Sequence, residues 1–350
     1  MSHVTLIRLE SLSNEVLLHI LEYLDAYMLY FAFYGLNRRF DELLRSCHLH
    51  VLFDESKHDP IVWNTLASSI VYFQIYHLSF HSNTIGIINK QILRATGQTL
   101  SSLSLQGTDK ALIDLVIRQL ASSNQVKRLT IDIGSTSGFS FPSLVNFVFC
   151  KYAHYFISLV DCSLRLRHVS GEFHRITAIF SHLHRFSISR CLWTSNTVLF
   201  LQDNTPNLRS LRIWPQEELL STSMSSNYKL NHIRELEIIY NSKSPNMAFM
   251  LASFPALRRL RIEWRDLQWI SILSGGEWQK IIETHLPDLQ QMTIDFCAVH
   301  TSAIDEQIVR TFQRSEFWSR RRVIIKMTTE NHESRHQRIE TIYFGKRWHF

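Results

Sequence analysis

The residues His332-Glu333-Ser334-Arg335-His336 come nearest to an active site in residue type and spacing. Two histidines four apart on one helix can hold zinc, and the glutamate after the first can act as general base in hydrolysis. Such a site also needs a long helix with an apolar back, a third ligand and a cleft. Here Thr328 to Asn331 on one side and Gln337-Arg338 on the other are polar throughout, so the segment reads as a solvated turn. Gly134-Ser135-Thr136-Ser137-Gly138 has the outline of a nucleophile elbow, but threonine stands at its centre and no strand-to-helix setting surrounds it. The chain has no glycine-rich phosphate loop, and its 18 histidines are scattered. No metal, no cofactor and no catalytic constellation is expected.

The elements around these segments are more informative than the segments themselves. From Leu12 to Leu44 the pattern is helical with short interruptions. Ser13 suits an N-cap, and Glu15 puts a negative charge in the first turn, where the helix dipole favours it. Val16, Leu17, Ile20, Leu21 and Leu24 form a stripe too wide for one buried face, which predicts apolar contacts on two sides. Asp25 ends this run and Met28 to Phe33 begin a second helix; Gly35 ends that, and Leu36, Phe40, Leu43 and Leu44 mark a third. Three helices in so few residues cannot be stable alone, so their spare apolar surface requires cover from the rest of the chain or from a partner.

The run from Leu12 to Leu24, continued by Leu29 and Leu36-Asn37-Arg38-Arg39-Phe40, resembles an F-box. Ser13 stands where that family usually has proline; either residue starts a helix. The resemblance implies that residues 1–50 dock on a Skp-type adaptor, and through it on a cullin. The positions it carries over are Leu12, Ser13, Glu15, Ile20, Leu24 and Leu29.

From residue 75 onward the template apolar-x-x-apolar-x-apolar recurs. It fits Ile75-Leu78-Phe80, Leu100-Leu103-Leu105, Val126-Leu129-Ile131, Ile157-Val160-Cys162 and Leu183-Phe186-Ile188. It fits again at Leu208-Leu211-Ile213, Ile233-Leu236-Ile238, Leu257-Leu260-Ile262 and Leu289-Met292-Ile294. Successive units lie 25, 26, 31, 26, 25, 25, 24 and 32 residues apart, the range of leucine-rich repeats. Pro206, Pro255 and Pro287 each precede a unit by two residues, and Asn83, Cys191, Asn241 and Cys297 each follow one by three. Helical spacing between units, as in Leu112, Leu115, Val116 and Leu120 or Ile281, Ile282 and Leu286, makes each repeat a strand plus a helix. Residues 51–317 thus resemble the leucine-rich repeats that follow an F-box. Arg322 to Met327 and Glu340 to Phe344 read as two strands of a cap over residues 318–350. The expected fold class is α/β: a three-helix module, then a solenoid with a parallel sheet on its inner face, then the cap.

Residues between the apolar positions line that inner face: Arg185 and Ser187; Ser210, Arg212 and Trp214; Glu235 and Glu237; Arg259, Arg261 and Glu263; Gln291, Thr293 and Asp295. Arginine and tryptophan anchor protein interfaces more often than other residues. Arg185, Arg212, Trp214, Glu235, Glu237, Arg259 and Arg261 are therefore the candidates for binding a protein substrate.

Composition bounds the partners. The net charge of +6 lies entirely in residues 310–350, with ten Lys/Arg against four Asp/Glu, while the remainder holds 27 of each. Such a balanced body does not call for nucleic acid; Arg320, Arg321, Arg322, Lys346 and Arg347 form at most a local patch. The five cysteines are odd in number and widely spaced, which fits a reducing compartment. The first residues lack signal-peptide regions, and Lys151 and His154 break the most apolar window, Phe141 to Val160. The expectation is a cytoplasmic or nuclear, non-catalytic substrate receptor of a cullin-type ubiquitin ligase. The rival expectation is a leucine-rich-repeat interaction scaffold independent of any ligase.

Overall fold

The computed structural model describes residues 9–54, 74–81, 99–107, 110–120, 125–133, 140–166, 173, 176–215, 228–240, 247–264, 274–298, 310–312, 316–319, 322–331 and 336–344. Ser13, Asp25 and Asn37 each open a helix in the same way. The residue is extended, and its side-chain oxygen accepts a backbone N–H that the first turn leaves unpaired. They cap α1 (Asn14–Leu21), α2 (Ala26–Phe33) and α3 (Arg38–Ser46). Asp25, expected only to end the first run, thus starts the second helix. Gly35 takes φ +72°, a conformation open to glycine at little cost, and its N–H donates to Asp41 Oδ1 at 2.8 Å. Arg39 ties the module together: Nε donates to Asn14 Oδ1 at 2.8 Å, and the terminal nitrogens donate to the carbonyls of Glu10 and Leu12. Leu17, Leu21, Ala26, Leu29, Phe40, Leu43 and Leu44 are buried between the helices and the strand that follows.

The chain divides into two compact units, residues 1–139 with 152–159 and residues 140–151 with 160–350. The first holds the helical module and strands β1 (His48–Asp54), β2 (Gln74–His81), β3 (Ser102–Gln106) and β4 (Arg128–Ile133), with α4 (Lys110–Leu120) between the last two. Its strands pair in parallel and in chain order.

The second unit repeats that plan. Strands β5 (Asp161–Leu166), β6 (Arg185–Cys191), β7 (Ser210–Pro215), β8 (Glu235–Tyr240), β9 (Arg259–Trp264), β10 (Gln291–Ala298) and β11 (Arg322–Asn331) are parallel neighbours in chain order. β12 (His336–Phe344) closes on β11 in antiparallel register. Helices α5 (Phe141–Asn146), α6 (Ser195–Asn204), α7 (Met247–Leu251) and α8 (Gly275–His285) alternate with the strands, a solenoid-like α/β arrangement. Between β5 and β6 the described residues hold no helix. Phe173 and Phe180, from that connection, instead fill the core around Phe149. Four rings, those of Phe173, Phe180, Phe186 and Phe200, lie within 6.5 Å of the Phe149 ring, and Phe173 stacks on Phe200 at 4.1 Å.

A four-residue turn precedes each of β5 to β10. Leu208, Leu257 and Leu289 donate their N–H to the carbonyls of Thr205, Phe254 and Leu286, with Pro206, Pro255 and Pro287 at the second position, where proline's fixed φ suits the turn. Phe156 to Leu159, Phe180 to Leu183 and Leu230 to Ile233 make the same bond without proline.

One unit is displaced from its expected position. The template at Ile157-Val160-Cys162 lies two residues too early. Cys162 pairs with Phe186 and Leu164 with Ile188, so the buried set is Leu159-Cys162-Leu164, while Ile157 is 51% exposed. The sequence 157–164 satisfies the template twice, and only strand pairing selects between the two fits.

Ser274 and Glu277 form a capping box at the start of α8. Gly275 there meets the backbone of Thr311 and Phe312: an added Cβ would lie 2.6 Å from the Thr311 carbonyl oxygen, whereas at Gly276 it would meet nothing. Gly275→Ala should cost ~1–3 kcal/mol through this backbone clash, and Gly276→Ala less than about 0.5 kcal/mol. Chemical denaturation of the two variants tests this, and equal stability would contradict the packing described.

Candidate functional site

Two surfaces hold the residues singled out from the sequence. The first is the outer side of α1 and α2. Ser13 and Glu15 are exposed, and Glu15 is held below the usual carboxylate pKa by its own backbone N–H and by the Ser13 hydroxyl. Ile20 is 40% exposed, Leu12 and Leu24 are half-buried, and Leu29, at 1%, belongs to the module's interior. Leu29 therefore supports the helices and presents nothing outward.

The outward apolar residues are Val16, Ile20 and Tyr23, at i, i+4 and i+7 of one helical face, followed by Met28, Phe31, Tyr34 and Leu36. Ring contacts among Tyr27, Tyr30, Phe31 and Tyr34, with Tyr30 stacked on Tyr34, hold the aromatic part in place. The wide stripe of α1 is thus split, with Leu17 and Leu21 inside and Val16 and Ile20 outside. Tyr23, Met28, Phe31 and Tyr34 were not among the expected docking positions. The signal that could have found them is the excess of apolar residues in 23–36 over what three short helices can bury.

The second surface is the open face of the sheet in the second unit. Alternation along each strand buries Leu211 and Ile213, Leu236 and Ile238, Leu260 and Ile262, and turns their neighbours to this face. In-register pairing then lines those neighbours up as Asp161, Arg185, Ser210, Glu235, Arg259 and Gln291 in one row, and Ser163, Ser187, Arg212, Glu237, Arg261 and Thr293 in the next.

Opposite charges meet across these rows. Arg185 contacts Asp161 at 2.9 Å and Arg259 contacts Glu235 at 2.7 Å. Arg261 is the hub. Its Nε donates to Asp295 Oδ2 at 2.7 Å, and its terminal nitrogens lie 3.3 Å from Glu237 and 3.9 Å from Glu263. Arg212 shares the same Glu237 through Nε at 3.4 Å. Asp295 is 5% exposed, so its charge depends on Arg261 far more than the outer pairs depend on each other. All seven candidate substrate-binding residues lie in the second unit, and six of them are members of this ladder of ion pairs. The seventh, Trp214, stands half-buried beside Ser189 of the preceding strand, β6.

The displaced repeat hid two further members of the face. With Leu159-Cys162-Leu164 as the buried set, Asp161, Ser163 and Arg165 are the outward residues of β5. Of these Arg165 is exposed and makes no ion pair among the described residues.

No family model matches the chain, and no curated protein does.

The segments weighed for chemistry contribute no assembled site among the described residues. His332 to Arg335 and Gly134 to Gly138 lie outside them. His336 opens strand β12 opposite Asn331, so it does not stand on the helix that a two-histidine zinc motif requires. No group of three potential metal ligands comes together among the described residues. Cys47, Cys150, Cys162 and Cys191 are not joined to one another by disulfides. Burial raises the pKa of Cys47 to about 11, with the Glu22 charge adding to it, and burial likewise raises Cys150 and Cys162. Asn83, Asn241, Arg320, Arg321, Lys346 and Arg347 lie outside the described residues; Arg322 opens β11. No helix among the described residues is long and apolar enough to cross a membrane.

Two measurements follow. Arg261→Met should destabilise the chain by ~1–3 kcal/mol because it strands the Asp295 carboxylate, and adding Asp295→Asn should recover most of that loss. Purely additive effects in denaturant melts would show that the two residues are not coupled. In the first unit, burial depresses His77 to a pKa of about 4, helped by the charges of His50 and Arg128. An unfolded histidine titrates near 6.5, so its stabilising contribution is complete above that pH and is lost as pH falls toward about 4. Between pH 7 and 4.5 the wild-type Tm should therefore fall further than that of His77→Gln; parallel curves would contradict it.

Proposed function

We propose that this chain is the substrate-recognition subunit of a cullin-type ubiquitin ligase. The helical module binds a Skp-type adaptor, and the open face of the sheet receives a protein substrate. The observation that carries this reading is the exposed band of Val16, Ile20, Tyr23, Met28, Phe31, Tyr34 and Leu36 on α1, α2 and the turns that follow them. A module that already has its own buried core gains nothing in water from a second apolar face, so that face is explained by a partner that covers it.

The F-box resemblance of residues 12–40 names that partner. Here Ile20 is the central outward residue of α1, as a docking position should be. Leu12 and Ser13 start the helix, Glu15 sits in its first turn, and Leu24 and Leu29 shape the module from within.

On this reading the chain does no chemistry. It holds a substrate close to a transfer step performed on other subunits, and the rate gain is one of effective concentration. Ladder residues such as Arg185, Arg259 and Glu235 suit this role because surface ion pairs are weak, at ~0–1 kcal/mol, and can exchange for pairs with a partner. The fold of the repeats as leucine-rich units, with β11 and β12 as their cap, belongs to the same proposal.

Ile20→Glu places a charge on an exposed position and should leave the module folded. Co-expression with a Skp-type adaptor should give a stable complex with wild type and at least tenfold less with Ile20→Glu, at unchanged circular dichroism. Equal recovery from both proteins would overturn the ligase reading and leave the independent scaffold.

A further inference from the structure

Arg165, Ser187, Ser189, Arg212, Trp214 and Ile239 line one depression on the open face of the second unit. It is a part of that face where an arginine has no ion pair among the described residues. Among the described residues that line it none is acidic. Arg165 makes no ion pair among the described residues, and Arg212 has only the shared contact to Glu237 at 3.4 Å.

The remaining lining is already committed or apolar. Ser189 Oγ donates to the Leu166 carbonyl and accepts the Leu166 N–H, which pins this edge of the depression to β5. Ile239 supplies an apolar floor and Trp214 a wall. The neighbouring depression over β8 and β9 differs, because Glu235 and Glu237 lie among Arg259 and Arg261 and balance them.

We propose that this depression receives the carboxylate of an aspartate or glutamate on a protein partner, held by Arg165 and Arg212 with its apolar stem against Trp214. Guanidinium groups bind carboxylates through paired N–H donors, and arginine and tryptophan are among the residues enriched at interface anchors. Charge balance favours a carboxylate over a phosphoryl group. Among the described residues Glu237 already offsets much of Arg212, leaving about one unbalanced positive charge at Arg165, which a monoanion neutralises. A dianion would exceed it and would also face Glu237 across Arg212.

The proposal rests on the reading that the repeat face receives a protein, but not on the ligase assignment. Degenerate nonapeptides with a fixed central Glu, Gln, Lys or phosphoserine, immobilised as four pools, are the probe for the full chain. Wild type should retain the Glu pool about 5–10-fold more than the Gln pool, a gain of ~1 kcal/mol or slightly more. Arg165→Glu should abolish that preference and raise retention of the Lys pool, whereas Arg165→Lys should keep the sign of the preference. Ile20→Glu should leave all four pools unchanged. Absence of a Glu preference, its survival in Arg165→Glu, or stronger retention of phosphoserine than of Glu would each overturn the assignment. Loss of adaptor capture with the Glu preference intact would remove the ligase reading and leave this pocket standing.

Discussion

A parallel strand cannot be reached from its predecessor by a tight turn, so each connection must cross behind the sheet and return in register. In this chain one carbonyl per repeat fixes the return. Val160 O accepts the N–H groups of both His184 and Arg185; His184 O accepts those of Arg209 and Ser210, and Arg209 O those of Arg234 and Glu235. Arg234 O and Arg258 O continue the series, and Ser101 O does the same in the first unit. From β6 to β10 the turn before each strand delivers these paired donors at the same point. A slip of one residue would send Leu211 or Ile238 to the open face and bury Arg212 or Glu237, so the hydrophobic core enforces the register that the carbonyls select.

Everything on the open face depends on that register. Arg261 reaches Asp295 because β9 and β10 pair residue for residue, and it reaches Glu237 because β8 and β9 do. Over β8 and β9 the ladder sets Glu235, Glu237 and Glu263 against Arg259 and Arg261, and its buried member, Asp295, stands on β10. Its charges are consequently structural in the middle of the face and available at the β5 side, where Arg165 stands unpaired among the described residues. A face divided in this way suits a binding surface: the paired part holds the sheet's geometry, and the unpaired part discriminates between partners. The helical module divides its labour similarly, with Leu17, Leu21 and Leu29 maintaining the fold and Val16, Ile20 and Tyr23 facing outward.

Much of this was legible in the sequence, for identifiable reasons. The repeats could be read because an apolar residue at each of three template positions is needed to bury a strand and its entry turn, and that need recurs in every unit. Helix starts at Ser13 and the strands at Arg322 and before Phe344 were legible because caps and alternation are local. The unit at 157 was not, since Ile157-Val160-Cys162 and Leu159-Cys162-Leu164 satisfy the same local rule and the choice is made by pairing with β6. That two-residue error concealed Asp161 and Arg165. The ion-pair ladder was not legible either. Sequence placed Arg212, Glu237 and Arg261 on one face, but which of them satisfy each other is a property of neighbouring strands. Leu29 shows the same limit, because helical spacing alone does not say which side of a short helix the module covers.

The claim on which the rest turns is that the outward face of α1 and α2 is a docking surface and the sheet is not its partner. Hydrogen–deuterium exchange of the full chain, with and without a saturating Skp-type adaptor, reads this directly. Added adaptor should slow exchange of the amides in 14–36 by more than tenfold and leave the strands β5 to β10 unchanged. Unaltered exchange in 14–36, or protection confined to the strands, would contradict it.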